Sequence, residues 1–153
     1  MERLKFKDIH PYLPYDLECE ILNYKCDYVG DKYGTILGYY LLGDDTYFNF
    51  KKGRDYAGKS LNDFKPILKS LSDITDEDID DIMNESWIVS SDNPRIVKND
   101  ISVSIQLEDG SELDIWLNKP HCNMEWINEI LYSKHYDLKS LIEKGLAINK
   151  NNL

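Results

Sequence analysis

Gly53-Arg54-Asp55-Tyr56-Ala57-Gly58-Lys59-Ser60 fits the phosphate-loop pattern G-x-x-x-x-G-K-[ST] at every fixed position, and how it is read decides the fold. A working phosphate loop would use Gly53 and Gly58 to bring backbone amides onto phosphate oxygens, Lys59 to reach them and Ser60 to hold magnesium. It would also demand a buried parallel strand feeding the loop and a helix leaving it, because the helix N-terminus supplies part of the anion site. The flanks do not read that way. Thr46-Tyr47-Phe48-Asn49-Phe50-Lys51 is aromatic and polar rather than a continuous aliphatic run. Downstream, Ser60-Leu61-Asn62-Asp63-Phe64-Lys65 meets Pro66, which leaves room for only a short, broken helix. No aliphatic run ending in an acid offers a second magnesium ligand. The segment is therefore read as a Gly-rich turn between antiparallel strands, with nucleotide binding through Gly53, Gly58, Lys59 and Ser60 as the alternative.

Outward from that stretch, the strands are joined by short polar turns. Leu17, Cys19 and Ile21 alternate with Glu18 and Glu20, the pattern of a half-buried strand. Tyr33 to Leu42 and Thr46 to Lys51 are strands separated by Gly43-Asp44-Asp45, and such connections make an antiparallel meander. Lys65 to Leu71 contains Pro66, so a strand there begins at the proline or lies at an edge. Ile101, Val103, Ile105 and Leu107 alternate, as do Leu113, Ile115 and Leu117. A three-residue loop, Glu108-Asp109-Gly110, pairs Ile105 with Leu113 and Val103 with Ile115, and puts Gly110 at the left-handed position of a type I turn with a G1 bulge.

Helices are marked by their ends. Residues 7 to 13 form one helical turn stopped by Pro14. Thr75 caps a helix over 76–85, with Asp78 closing an acidic capping box and Ile74 and Ile79 at the staple positions. Ile79, Ile82 and Met83 form its apolar stripe. Asn123 caps a helix over 124–135 with Trp126, Ile127, Ile130 and Leu131 inward. Asp137 caps a shorter helix over 138–144, ended by Gly145, with Leu141 and Leu146 in the contact that accompanies a Schellman ending. The fold expected is one α+β domain spanning 1–153, with an antiparallel sheet, an acidic helix and C-terminal helices.

Composition bounds the function. The net charge is −10, and the 13 residues from Asp73 to Glu85 hold seven acids with no Lys or Arg. Direct binding to duplex DNA is disfavoured, because affinity for a phosphate backbone rests on Lys and Arg displacing counterions. A protein or ribonucleoprotein with a basic surface is the partner that suits this charge. Asp76, Glu77, Asp80 and Asp81 would face it, opposite the apolar stripe, whereas Asp78 belongs to the cap. The 11 tyrosines, eight of them between Tyr12 and Tyr47, supply ring area for strands and core. Tyr24 and Tyr28, in a stretch that does not alternate cleanly, are the candidate aromatic anchors of a binding face.

Cofactor and metal chemistry find no motif. His10, His121 and His135 sit in no catalytic pattern, and Cys19, Cys26 and Cys122 show neither C-x-x-C nor zinc-ligand spacing. Read as a calcium loop, Asp73 to Glu85 has Asp78 where the sharp-turn glycine belongs and Asn84 where the bidentate glutamate belongs. The expectation is a non-enzymatic chain with no cofactor and no metal. No apolar stretch resembles a signal peptide or a membrane span, and three unpatterned cysteines suit a reducing cytoplasm.

Pro11-Tyr12-Leu13-Pro14-Tyr15, Ile21 to Gly30 (ILNYKCDYVG), Lys65 to Asp73 (KPILKSLSD) and Leu141 to Ala147 (LIEKGLA) carry a resemblance. In these strings the chain resembles a family of short bacterial phage and prophage proteins with no assigned activity. The resemblance covers about a fifth of the chain, and residues 86–120 lie outside it. It implies a setting, a mobile-element accessory protein acting in the cytoplasm of a bacterial host, and transfers no catalytic residue. Small acidic proteins of that setting can occupy the basic channel of a nucleic-acid-targeting defence complex, so an anti-CRISPR-like or other anti-defence inhibitor is the concrete expectation. A structural or assembly partner within the element is a further alternative.

Overall fold

A computed structural model describes residues 2–22, 32–43, 45–51, 56–85, 95–119 and 124–153. Among these residues two sheets and three α-helices build a single α+β unit. The first sheet contains β1 (Glu18–Ile21), β2 (Tyr33–Leu42), β3 (Asp45–Lys51), β4 (Tyr56–Ser60), β5 (Phe64–Leu68) and β9 (Ile148–Asn149), in the order β4-β3-β2-β1-β5-β9. Its neighbours are antiparallel except β5 and β9, which run parallel. The second sheet is the antiparallel set β6 (Arg95–Lys98), β7 (Ser102–Gln106) and β8 (Glu112–Trp116). The single antiparallel sheet expected from the sequence is thus two sheets, one of them mixed. The parallel strand escapes sequence reading because two residues are too few to show a period.

The β7–β8 hairpin has the register that its turn chemistry dictates. Ile105 pairs with Leu113 and Val103 with Ile115, and Gly110 sits at φ +82°. The Gly110 amide donates to Leu107 O at 3.0 Å and the Leu107 amide to Ser111 O at 2.9 Å, closing the turn and its bulge.

Pro66 is tolerated inside β5 rather than at its start or at an edge. The Leu22 amide donates to Asp63 O at 2.8 Å, so alternate pairs exchange bonds and Cys19–Pro66 is a non-bonded pair. The missing N–H therefore points away from β1, toward the side where β9 pairs only with Ile67 and Leu68.

Helical structure at the N-terminus runs past Pro14. α1 (Phe6–Ile9) continues into a 3-10 helix, His10–Tyr15, and the stop comes at Asp16, whose φ is +55°. α2 (Asp76–Glu85) occupies the expected residues, and α3 spans Glu125–Ser133. Asn123, the expected cap of α3, lies outside the described residues; the N-cap position is Met124.

α3 ends early because His135 turns left-handed at φ +61°. Its amide donates to Tyr132 O at 3.0 Å and that of Tyr136 to Leu131 O at 2.9 Å, a Schellman ending with histidine where glycine is usual.

The helix expected over 138–144 is absent, replaced by turns. Ser140 is left-handed at φ +53°, and the Asp137 carboxylate takes the amides of Lys139, Leu141 and Ile142 at 3.2, 2.9 and 2.7 Å. A seven-residue helix gains too few bonds to repay nucleation, and here the aspartate takes amides that a helix would use. Its expected ending nevertheless forms. Gly145 is at φ +69°, its amide bonds Ile142 O at 3.0 Å, and that of Leu146 bonds Leu141 O at 2.8 Å.

Two apolar clusters result. One joins α2, α3 and the second sheet around Ile79, Ile82, Val103, Ile105 and Ile127. The other joins α1, the 3-10 helix and the first sheet around Tyr12, Leu17, Phe48, Phe50 and Phe64. Tyr132 packs against both.

Candidate functional site

The N-terminus of α2 is fastened to the core by one carboxylate. The Thr75 amide and hydroxyl donate to Asp78 Oδ2 at 3.2 and 2.6 Å, and the Asp78 amide donates back to Thr75 Oγ1 at 3.1 Å. Ile74 and Ile79, the staple pair, are both buried. Two further groups arrive from beyond α3. Tyr136 Oη donates to Asp78 Oδ2 at 2.6 Å, and Lys134 Nζ lies 3.1 Å from Asp78 Oδ1. Burial opposes ionisation of Asp78, but the bonds from Thr75, Tyr136 and Lys134 outweigh it and hold the carboxyl well below the usual range. Burial and the bond to Asp78 push the Tyr136 phenol up.

This arrangement divides the acidic helix into two sets. Asp78 is buried and belongs to the cap. Asp81 is half-buried and paired with Lys134 Nζ at 2.5 Å, so it is engaged within the chain rather than directed wholly at a partner. Asp76, Glu77 and Asp80 are exposed, with no salt bridge among the described residues, while Ile79, Ile82 and Met83 are buried on the other side. Three of the four carboxylates read from the sequence as a binding face thus point to solvent. Tyr24 and Tyr28 lie outside the described residues.

Of the phosphate-loop residues, Gly53 is outside the described set. Gly58, Lys59 and Ser60 belong to β4, which pairs antiparallel with β3 through Phe48↔Lys59 and Tyr47↔Ser60. The Ser60 amide and hydroxyl both donate to Asp63 Oδ2, at 2.8 and 2.7 Å, in a turn that leads into β5 rather than into a helix. The strand–loop–helix geometry that presents amides to a phosphate is not formed at Gly58 to Ser60.

A feature the sequence reading passed over stands at the other end of β2. On its β2 side, strand β1 pairs with Tyr33, Gly34 and Thr35, and the Ile36 amide bonds Leu17 O. Beyond a bulge between Ile36 and Gly38, β2 has β3 as its only strand partner among the described residues, and Leu37, Tyr39, Tyr40, Leu41 and Leu42 are all exposed. Tyr40 stacks on Tyr47 with centroids 5.6 Å apart, and Tyr39 meets Phe6 on the opposite face at 4.9 Å. The available signal was Tyr39-Tyr40-Leu41-Leu42, four apolar residues that cannot all face one core in a strand.

Cys19 and His135 have structural roles. Cys19 is fully buried and its thiol pushed up by that burial, which makes it inert. His135 packs Nε2 against Tyr15 O at 2.5 Å, and burial lowers its pKa. Among the described residues no group of three or more His, Cys, Asp or Glu is placed to hold a metal ion. Nor is any described helix long and apolar enough to cross a membrane. Comparison with protein-family models, with curated proteins and with solved structures finds no match to the chain.

Proposed function

We propose that this chain is a non-enzymatic accessory protein of a bacterial mobile element that works in the host cytoplasm by binding a protein or ribonucleoprotein with a basic surface. One observation carries the reading. Asp76, Glu77 and Asp80 project from a single face of α2 with no salt bridge among the described residues, whereas Asp78 and Asp81 are held by Thr75, Tyr136 and Lys134. A face of unneutralised carboxylates raises the rate of encounter with a positive surface and selects against acidic ones. The concrete form is inhibition of a nucleic-acid-targeting defence complex, in the manner of an anti-CRISPR protein, with the carboxylates standing where nucleic-acid phosphates would lie. The mobile-element setting rests on the resemblance of residues 11–15, 21–30, 65–73 and 141–147.

Affinity purification of the tagged full chain from host cells under native conditions tests this. Recovery of a nuclease–RNA complex, lost when Asp76, Glu77 and Asp80 are replaced by their amides, supports it. Recovery of structural proteins of the element supports an assembly role instead, which the exposed apolar segment of β2 favours. Binding of ATP or GTP with magnesium, abolished by Lys59→Ala, would restore the nucleotide-binding alternative.

A further inference from the structure

We propose that the free edge of β2 beyond the bulge is a self-association site, where two copies of this chain join their first sheets by antiparallel pairing about a two-fold axis at Tyr40. The edge is open because β1 is four residues long and β2 is ten. Among the described residues no backbone or side-chain bond reaches the β1 side of Tyr39 to Leu42. Protein edges of this kind are normally guarded by lysine, proline or a covering element. Tyr33 to Leu42 contains no charged residue and no proline.

The hairpin fixes the register. Leu42 pairs with Asp45 across a two-residue connection that begins at Gly43 with φ +63°, and such a flanking pair exchanges both hydrogen bonds. Leu42 and Tyr40 therefore direct their backbone groups at β3, while Leu41 and Tyr39 direct theirs at the free edge. The register that uses both outward residues sets Tyr39 opposite Leu41 of the second copy and Tyr40 opposite itself. Tyr40 then falls in a non-hydrogen-bonded pair, where side chains approach most closely. The Tyr40–Tyr47 stack in each copy extends into a row of four rings across the joint.

Area and charge point to a second copy as the occupant. Leu37, Tyr39, Tyr40, Leu41 and Leu42 are 41–69% exposed. They present on the order of 500 Å² of side-chain surface. Two copies together bring about 1,000 Å², the ceiling on what the pairing can cover and the size at which specific interfaces begin. An edge without charge offers nothing to a basic peptide. Pairing with itself is complementary by symmetry, since the same residues meet on both sides.

Sedimentation equilibrium of the full chain from micromolar to hundreds of micromolar tests the proposal. The expected mass rises from 17.9 kDa toward twice that value. Tyr40→Lys and Tyr40→Glu each stay at the monomer mass, because like charges face each other across the axis. An equimolar mixture of the two variants recovers the doubled mass. Should the variants fail to fold, amide exchange on the wild type decides the matter. Exchange at Tyr39 and Leu41 then slows as protein concentration rises. A wild type that stays monomeric throughout, a Tyr40→Lys chain that dimerises undiminished, or concentration-independent exchange at both amides overturns the proposal.

Discussion

Tyr136 donates its phenolic hydrogen to Asp78 Oδ2 at 2.6 Å across 58 residues of sequence, and so joins the cap of α2 to the chain leaving α3. The left-handed turn at His135 aims that phenol, and Lys69 fixes it from the other side. The Lys69 amide bonds His135 O at 2.8 Å, and the Asp137 amide bonds Lys69 O at 2.9 Å. Asp78 is thus both a local helix signal and a tertiary contact between two elements of one core. The face that carries Asp76, Glu77 and Asp80 is held in place through it.

Loss of Asp78 should therefore cost more than loss of an ordinary cap. Thr75→Ala removes the local half of the box and is expected to cost about 1 kcal/mol. Asp78→Ala also leaves the Tyr136 hydroxyl without its carboxylate in a buried site, while Lys134 keeps only Asp81, and is expected to cost about 3 kcal/mol. Asp78→Asn keeps the shape, loses the charge and falls between. Urea unfolding midpoints of the three variants check the order, and equal losses for Thr75→Ala and Asp78→Ala would show that the Tyr136 contact contributes nothing.

Acid should weaken the fold in two stages. Burial depresses the pKa of His135, so the folded chain favours the neutral ring. Its contribution is full above the unfolded value of about 6.5 and is lost as pH falls through the lower folded value. The Asp78 carboxyl is also depressed, its bonds outweighing burial, so its contribution is full above about pH 4 and is lost as pH falls below that. Urea midpoints measured against pH should show both declines, with His135→Gln removing the upper and Asp78→Asn the lower.

The Tyr12 hydroxyl donates to Tyr136 O at 2.9 Å and accepts from the Leu138 amide at 3.1 Å, with the side chain fully buried. Tyr12→Phe keeps the ring packed, including its edge-on contact with Tyr132, and leaves that carbonyl and that amide without the phenol. The expected loss is about 2 kcal/mol, read by urea unfolding. Tyr15→Phe is the control, expected to change stability little.

Local chemistry explains which elements were legible in the sequence. The β7–β8 register could be read because alternation and the Glu108-Asp109-Gly110 turn give the same answer independently. α2 could be read because cap, staple and apolar stripe coincide. The segment 138–144 misled because an aspartate before an apolar run announces a helix, while here its carboxylate gathers the Lys139, Leu141 and Ile142 amides around left-handed Ser140 and its own amide is tied to Lys69 O, far away in sequence. At the candidate face, Asp76, Glu77 and Asp80 followed from helical periodicity. The engagement of Asp81 did not, since Lys134 lies 53 residues away. The exposed half of β2 was hidden for a similar reason, because a strand's burial depends on the length of the neighbour it is given.

Glycine positions separate backbone need from packing need. Gly110 is left-handed at φ +82° with nothing within 4 Å of an added Cβ, so Gly110→Ala should cost about 1 kcal/mol through backbone strain alone. Gly38, equally uncrowded and not left-handed, should accept alanine without loss. Thermal midpoints of the two variants check the contrast.

Replacing Asp76, Glu77 and Asp80 together by Asn, Gln and Asn tests the proposed face without touching the Thr75–Asp78–Tyr136–Lys134 bonds. Asp76 and Glu77 lie in the first turn of α2, where the helix dipole favours negative charge, so the fold should lose about 1 kcal/mol. Association with a basic partner should fall far more. Exposed charges act mainly on encounter, so the association rate should drop, its dependence on salt should flatten, and the dissociation rate should change little. Stopped-flow association at two salt concentrations with the purified partner measures all three. Unchanged association would leave the carboxylates with only their effects on helix initiation and hydration, and would move the search to the exposed edge of β2.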